Sequence, residues 1–310
     1  HFQQQIKTAA ENRQPMKING GESKAFLGSS IQCAQLDIST YRVVISYEPT
    51  ELYITVRAGT PLSEIDAVLA DNRQMLAFEP AQVNDNTTIG GAIATGLSGP
   101  RRPFSGSARD YVLGIRCLNG LAEDLAFGGQ VMKNVAGYDL SRLLTGSYGT
   151  LGVILEVSLK VLPLPEYETS CCATVDIRQA ISTMQDLAIK AIPVSGCCYD
   201  GERLRIRLSG KERIVRQLEK ELGFDSCAEG QAFLPQLRTD KPIWRLSVPA
   251  TSSVELDEKS YLVDWGGAQY WLASDRPAGE LFSLAANAGG SAMLFRNGGQ
   301  EEVFQPLSAA

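Results

Sequence analysis

The sequence predicts an α+β fold in two parts. Three observations carry that expectation. Short β-branched runs alternate with amphipathic helical runs along the whole chain. A proline-flanked segment at Pro163 and Pro165 separates two rhythms of alternation. Beyond that segment helical runs alternate with hairpin-like strand pairs, such as the strands around Asp200-Gly201. The boundary is placed after residue 164, giving domains 1–164 and 165–310. The second is expected to be a smaller α+β domain with an antiparallel sheet and helices on one face.

The elements follow in order. Residues 2–13 read as a helix stopped by Pro15, and 16–18 as a short strand entering the pair Gly20-Gly21. Residues 36–38, 43–47 and 53–57 are β-branched-rich and bounded by turn residues, which suggests one small sheet. Thr60-Pro61 is placed at the cap of a helix over 62–71. Residues 111–118 and 121–127 flank Asn119-Gly120, a two-residue hairpin signal. A short helix over 139–144 precedes Gly146, and a long strand covers 150–161. Beyond the boundary, strands are expected at 171–177, 195–199, 203–208, 243–248, 261–265, 270–273 and 292–295. Helices are expected at 178–191, 211–222 and 279–288. The helix over 211–222 places Ile214, Val215, Leu218 and Leu222 on one apolar face.

Composition narrows the function. The chain has 310 residues and a formal net charge of −6, which argues against a nucleic-acid partner. Seven cysteines, Cys33, Cys117, Cys171, Cys172, Cys197, Cys198 and Cys227, include two adjacent pairs and no C-x-x-C. They read as reduced, buried thiols in a cytoplasm-like compartment, with no metal site. The apolar run over 151–164 is interrupted by Glu156 and Lys160 and alternates like a strand, so no membrane span is expected. The one histidine is His1. Mechanisms that need an imidazole inside the fold are therefore not expected.

Residues 79–153 organise the first part. Gly90, Gly91, Ala92, Ala94, Thr95, Gly96, Ser98 and Gly99 crowd one short run. Such a run carries little area for a core but lets backbone approach a flat polar ligand. A second cluster, Asn19-Gly20-Gly21-Glu22-Ser23-Lys24, follows a short strand. Two backbone loops holding one extended cofactor is the expectation, with the upstream loop at its phosphates.

Several motifs then carry a resemblance. Thr88-Ile89-Gly90-Gly91, Gly99-Pro100, residues 107–114 and residues 149–154 resemble the PCMH-type FAD-binding domain of the vanillyl-alcohol-oxidase group of flavoproteins. Residues 131–143, VMKNVAGYDLSRL, resemble more narrowly the E-type FAD-binding subunits of bacterial glycolate oxidases. Pro100-Arg101-Arg102-Pro103, Val194-Ser195-Gly196 and Val263-Asp264-Trp265-Gly266-Gly267-Ala268 support the same likeness, which covers nearly the whole chain. It implies a two-part FAD-binding domain followed by a cap-like domain, and non-covalent FAD. The backbone of Asn19, Gly20, Gly21, Glu22, Ser23 and Lys24 would hold the pyrophosphate. Pro80, Thr88, Ile89, Gly90, Gly91 and Thr95 would lie along the ribityl chain and ring. Gly106 and Asp110 would sit nearby, and Gly152 and Val153 would complete the ring or adenine contacts. The resemblance also implies oxidation of glycolate to glyoxylate in a complex with a second flavin subunit and an Fe–S subunit. Such a complex would be cytoplasmic and peripheral to the inner membrane.

The chain departs from the family pattern in two ways. Relatives that oxidise hydroxy acids usually place histidines beside the flavin, and none follows His1 here. Tyr138, Tyr199, Tyr261 or Glu79 are left as candidate bases, and Arg101 with Arg102 as a carboxylate clamp. A returning C-terminal segment of the Asp-Pro-x-Gly-x-x-Asn-Pro-Gly kind is also absent from the end at 305–310. Two alternatives stay open: a self-contained FAD-dependent 2-hydroxy-acid oxidoreductase, and an assembly subunit with a vestigial flavin site. Trp244, Trp265 and Trp271 are weighed both as interface and as core residues.

Overall fold

A computed structural model describes residues 1–28, 32–129, 139–227, 237, 239–299 and 303–306. Residues 131–138 of the glycolate-oxidase-like motif, Tyr138 among them, lie outside the described residues, as do 307–310. Two compact units emerge. The first comprises His1–Lys24, Ile31–Gly99 and Ser105–Leu164, and the second Ala25–Ser30, Pro100–Phe104 and Pro165–Ala310.

The first unit begins with α1 (Phe2–Glu11), β1 (Met16–Asn19) and β2 (Ala34–Asp37). β1 and β2 pair in parallel, Ile18 opposite Leu36 and Asn19 opposite Asp37. The single small sheet expected from 36–57 is therefore corrected: β2 leaves with β1, while β3 (Val44–Glu48) and β4 (Tyr53–Arg57) join another sheet. That sheet has the order β3-β4-β8-β6-β7, with β6 (Val112–Leu118), β7 (Asp124–Gly128) and β8 (Val153–Lys160). Its central strand β8 buries Val153, Ile154, Leu155, Val157 and Leu159, so it is apolar on both faces. Its buried Ser158 hydroxyl is 2.9 Å from that of Thr55 on β4, which satisfies both.

Helix α2 (Leu62–Ala70) buries Leu62, Ile65 and Leu69. Pro61, not Thr60, is its N-cap residue, because the Thr60 hydroxyl is engaged with Val43 on both its N–H and its carbonyl. The short pair β5 (Gln74–Met75) and β9 (Leu162–Pro163) closes the unit. The β6–β7 connection also differs from the two-residue expectation. Leu118 pairs with Asp124, leaving five residues between the strands. Asn119 Oδ1 accepts from the amides of Leu121 and Glu123, and Ala122 takes the left-handed φ of +58°.

The largest correction concerns the small-residue run. It is not a loop but α3 (Ile89–Thr95), followed by α4 (Arg102–Ser105) and α5 (Ala108–Tyr111). Ile89, Gly90, Ala92 and Ile93 are buried, so the run contributes to the core after all. Small residues make this helix thin, and thinness is what allows it to pack on backbone. α6 (Leu140–Leu143) is capped by Asp139, whose side chain accepts from the Arg142 amide.

The second unit contains β10 (Tyr167–Thr174), α7 (Ile177–Ile189), β11 (Val194–Tyr199), β12 (Arg203–Gly210), α8 (Glu212–Leu222), β13 (Asp225–Ser226), β14 (Ile243–Ser247), β15 (Tyr261–Asp264), β16 (Gln269–Ala273), α9 (Ala278–Asn287) and β17 (Ser291–Arg296). The strands form one antiparallel sheet in the order β13-β10-β12-β11-β15-β16-β14-β17. Val215 and Leu218 of α8 are buried as the periodicity requires, but Ile214 is 48% exposed and falls off that face. Trp244 and Trp271 are core residues. All seven cysteines are free thiols, five of them buried.

Candidate functional site

The two glycine clusters meet. At the end of β1, the Asn19 carbonyl accepts from the Ile38 amide, and its side chain donates to Gln35. The chain then turns against the segment that precedes α3. A Cβ on Gly20 would lie 2.7 Å from Thr88 Oγ1, and one on Gly21 only 1.4 Å from the Asn86 carbonyl oxygen. No side chain fits at residue 21 without displacing backbone.

The turn that follows has main-chain donors to spare. Glu22 adopts a left-handed φ of +51°. Among the described residues, the amides of residues 20–24 donate no hydrogen bond. Such turns present successive N–H groups as an anion nest. Ser23 is buried, and beyond it the Lys24 ammonium is buried with no hydrogen-bond partner among the described residues. Burial pulls the Lys24 pKa from 10.5 down to about 8.

Helix α3 is built differently. Thr88 is its N-cap, and the hydroxyl accepts from the Gly91 amide at 3.3 Å. The amides of Ile89 and Gly90 donate to the carbonyls of Thr60 and Ala58 at 2.9 and 2.8 Å. A Cβ on Gly90 would sit 2.7 Å from Ala58 Cβ, so this glycine seats the helix on the β4–α2 connection. The Thr95 hydroxyl donates to the carbonyl of Gly91 at 2.8 Å, one turn back in the same helix. Past the helix, the amides of Gly146 and Tyr148 donate to Ile93 and Ala94, and a Cβ on Gly149 would touch Ile18 at 3.0 Å. Residues 146–149 thereby tie α3 back to β1.

Pro80, Gly106, Asp110, Gly152 and Val153 lie elsewhere in the first unit. Pro80 is half-buried and follows Glu79, whose Cβ and carbonyl leave no room for a side chain on Gly99. Gly106 and Asp110 belong to a closed turn. Burial raises the Asp110 carboxyl, but hydrogen bonds from the Ser107 hydroxyl and amide outweigh it and leave the pKa below the usual value. The turn joins the α3 region where the Ala108 amide donates to Ser98 Oγ at 2.9 Å. Gly152 precedes β8, where a Cβ would lie 2.6 Å from the Leu118 carbonyl, and Val153 is buried opposite Leu118.

A cleft of about 590 Å³ opens beside the 19–22 turn and Thr88, and the remaining expected site residues are not in its lining. Asn19, Gly20, Gly21, Glu22 and Thr88 line it, as do Gln35, Asp37, Ser39, Arg42, Gly59, Pro61 and Asn86. The second group was not anticipated from sequence. The Gly59-Thr60-Pro61 turn and the Asn84-Asp85-Asn86 run were its visible traces. Asp37 is held below the usual carboxylate range by the hydrogen bonds from Ser39.

Among the candidate bases, the Tyr199 hydroxyl donates to the carbonyls of Gly201 and Val175 at 2.8 and 3.1 Å. Burial pushes its pKa to about 12, and the neighbouring Tyr261 adds to the rise. Arg101 is mostly buried and paired with Glu168 at 2.9 Å. Arg102 stacks on Trp265 at 4.1 Å. Arg101 is thus already ion-paired and Arg102 already stacked on a ring. No group of three or more His, Cys, Asp or Glu suited to a metal ion occurs among the described residues, and no described helix is long and apolar enough to cross a membrane.

The donor set fits FAD. A diphosphate needs N–H donors and a cation, and among the described residues the amides of the 20–24 turn donate to no acceptor and the Lys24 ammonium has no partner.

Comparison with known proteins agrees. Residues 1–123 match the FAD binding domain family. The chain is 43% identical over 314 residues to the glycolate oxidase subunit GlcE of Escherichia coli, covering 99% of this chain and 89% of that protein. It is 34% identical over 155 residues to the glycolate oxidase subunit GlcD of Bacillus subtilis, and 29% identical over 166 residues to a D-lactate dehydrogenase of Anaerostipes hadrus. The chain spans only 33% and 34% of those two relatives. Among solved structures, an alkyldihydroxyacetonephosphate synthase superposes with a TM-score of 0.68 at 16% identity, over 94% of this chain and 69% of that one, a likeness of fold. The α+β architecture, the glycine-lined turn with its buried lysine and the near full-length identity converge: this chain belongs to the GlcE family of FAD-binding glycolate oxidase subunits.

Proposed function

We propose that this chain carries one FAD within a glycolate-oxidising assembly and shares the work with a second flavin subunit and an Fe–S subunit. The observation that carries the reading is the Gly20–Lys24 turn, whose amides donate to no acceptor and whose buried ammonium has no partner among the described residues. FAD bound there supplies a two-electron acceptor. The chain's own residues do the holding. The amides of residues 20–24 and Lys24 take the pyrophosphate. Pro80, Thr88, Ile89, Gly90, Gly91 and Thr95 border the ribityl chain and ring, with Gly106, Asp110, Gly152 and Val153 at the periphery. Residues 1–164, apart from 25–30 and 100–104 of the second unit, make up the flavin domain, and 165–310 the cap-like domain. The assembly works in the cytoplasm, at the inner membrane through its partners.

Two features support leaving proton abstraction to the partner flavin subunit. The sole histidine is residue 1, and the Tyr199 hydroxyl is already committed to two carbonyls. A single cuvette tests the reading. Purified chain with added FAD should retain flavin absorbance after gel filtration, and glycolate alone should leave that absorbance unchanged. Adding the partner flavin subunit should then bleach it. A chain that remains colourless with excess FAD defeats the cofactor assignment. Bleaching by glycolate without any partner would instead establish a self-contained oxidoreductase.

A further inference from the structure

Five of the seven thiols belong to the second unit, and the function proposed above uses none of them. Cys171-Cys172 on β10 and Cys197-Cys198 on β11 each send one thiol to either face of the sheet, since neighbouring strand residues point opposite ways. Cys171 and Cys197 join the core with residues of α7 and α8. Both stand opposite Ile206 of β12, which separates them. On the other face Arg205 separates Cys172 from Cys198 in the same way. An intervening strand puts such partners two spacings apart, about 9–10 Å, too far to meet.

Cys227 is placed differently. β13 runs antiparallel to β10, with Asp225 opposite Cys172 and Ser226 opposite Cys171. One residue on, the Cys227 amide donates to the Ser170 carbonyl at 3.2 Å, which continues the register. Cys227 is then opposite Ser170, two positions along the strand from Cys172, so both thiols leave the same face of the sheet. They are hydrogen-bond neighbours. Cys172 is 7% exposed and Cys227 is half-buried, so one sulfur of the pair is within reach of a small solute. Cys227 also lies just past a two-residue strand at the sheet edge, where a small backbone shift disturbs few contacts.

We propose that Cys172 and Cys227 are a reversible redox pair, closed to a disulfide by hydrogen peroxide, which fastens the end of β13 to β10. Cys227, the more accessible, attacks as the thiolate. Its sulfur takes one peroxide oxygen, the O–O bond breaks, hydroxide leaves and a sulfenic acid forms. The Cys172 sulfur then attacks the Cys227 sulfur, and the sulfenic oxygen departs as water. In sum, two thiols give up two protons and two electrons, one peroxide is reduced to two waters, and one S–S bond forms. A dithiol reductant reopens the bond by exchange through a mixed disulfide.

Burial and the Cys172 thiol push Cys227 up to about 11, while Arg205 and Arg203 of β12 pull the other way. Asp225 on β13, opposite Cys172, and Cys171 with Glu219 of α8 are the other titratable groups nearby. The thiolate is therefore scarce at neutral pH, which keeps the pair open. Below its pKa the thiolate population rises about tenfold per pH unit.

The test treats the full chain with hydrogen peroxide between about pH 7 and about pH 9, below the Cys227 value. Thiols are then titrated in denaturant, and peptides are mapped without reductant. A Cys172–Cys227 disulfide should form, at a rate that rises about tenfold per pH unit, and dithiothreitol should restore both thiols. The closed chain should unfold at a thermal midpoint higher by roughly 5 °C or more. Cys172→Ser and Cys227→Ser should each abolish the disulfide and the rise in midpoint. Cys227→Ser, at the half-buried position, decides the matter if Cys172→Ser does not fold. Cys33→Ser, at the other half-buried thiol, should change neither. Retention of both thiols, pairing of either one elsewhere, a loss that dithiothreitol does not restore, or a rate that ignores pH would each overturn the redox pair. An unchanged midpoint after closure would overturn the fastening.

Discussion

The 20–24 turn and helix α3 each carry a pair of adjacent glycines and do opposite things with it. In the turn, glycine brings backbone against backbone and leaves the amides of residues 20–24 without acceptors among the described residues. In α3, the amides of Ile89, Gly90 and Gly91 are all engaged, and glycine serves to seat a thin helix on Ala58. Glycine enrichment thus marks close backbone approach in both places. Only the accounting of donors separates a ligand cradle from a packing contact.

Breaking the turn should have the largest effect. Gly21→Ala drives a methyl to 1.4 Å from the Asn86 carbonyl, where nothing flexible can yield. We expect a loss of about 3 kcal/mol or more in denaturant unfolding, beyond ordinary overpacking, together with loss of FAD retention. Gly90→Ala meets the Ala58 methyl and carbonyl at 2.7 and 2.8 Å and should cost about 1–3 kcal/mol. The contrast sharpens in binding. Gly90→Ala should weaken FAD chiefly through stability, so protein that remains folded should titrate with nearly wild-type affinity. An affinity loss as large as that of Gly21→Ala would mean that α3 grips the flavin as firmly as the 20–24 turn rather than only bordering it.

Lys24→Met separates binding from folding. The unpaired buried ammonium destabilises the FAD-free chain and stabilises the complex. FAD affinity should fall by about 10- to 100-fold, the size of a charge-assisted hydrogen bond of about 1.5–3 kcal/mol. Without FAD the variant should be at least as stable as wild type. The pH sign follows from the depressed pKa of about 8 against 10.5 in the unfolded chain. Between those values the unfolded state binds more protons, so wild-type stability rises with pH through that window relative to the variant. Below pH 8 both states are protonated and the difference is constant and unfavourable to wild type. Urea midpoints of the two FAD-free proteins across this window provide the measurement. Parallel pH profiles would place Lys24 in solvent rather than beside the turn.

How much of this was legible from sequence depends on which force sets the feature. Periodicity located the strands and helices of the second unit because its helix faces and strand alternation are set by burial, as at Val215 and Leu218 of α8. The two glycine clusters and Lys24 were visible because close approach admits few residue types. The helical state of α3 was not, since Gly90 and Gly91 lower helix propensity and only the tertiary contacts with Ala58 and Thr60 recover it. The cleft residues Gln35, Asp37, Ser39 and Arg42 escaped notice for another reason. They come together because β2 pairs in parallel with β1 instead of joining 43–47 and 53–57 in one sheet, and no local pattern marks that pairing.

The smallest effect tests the comparison at a glycine with neither demand. Asn119-Gly120 reads as a two-residue turn, in which glycine would need a left-handed backbone. In the structure Ala122 carries the positive φ, Asn119 Oδ1 ties the loop to Leu121 and Glu123, and a Cβ on Gly120 would meet nothing within 4 Å. Gly120→Ala therefore removes freedom mainly from the unfolded chain. It should leave stability unchanged or raise it by up to about 1 kcal/mol, read as a slightly higher thermal midpoint. Destabilisation by about 1 kcal/mol or more would return the tight turn to residue 120 and shift the β6–β7 register with it. Flavin retention should not change in either case, because Gly120 is not among the residues that line the cleft.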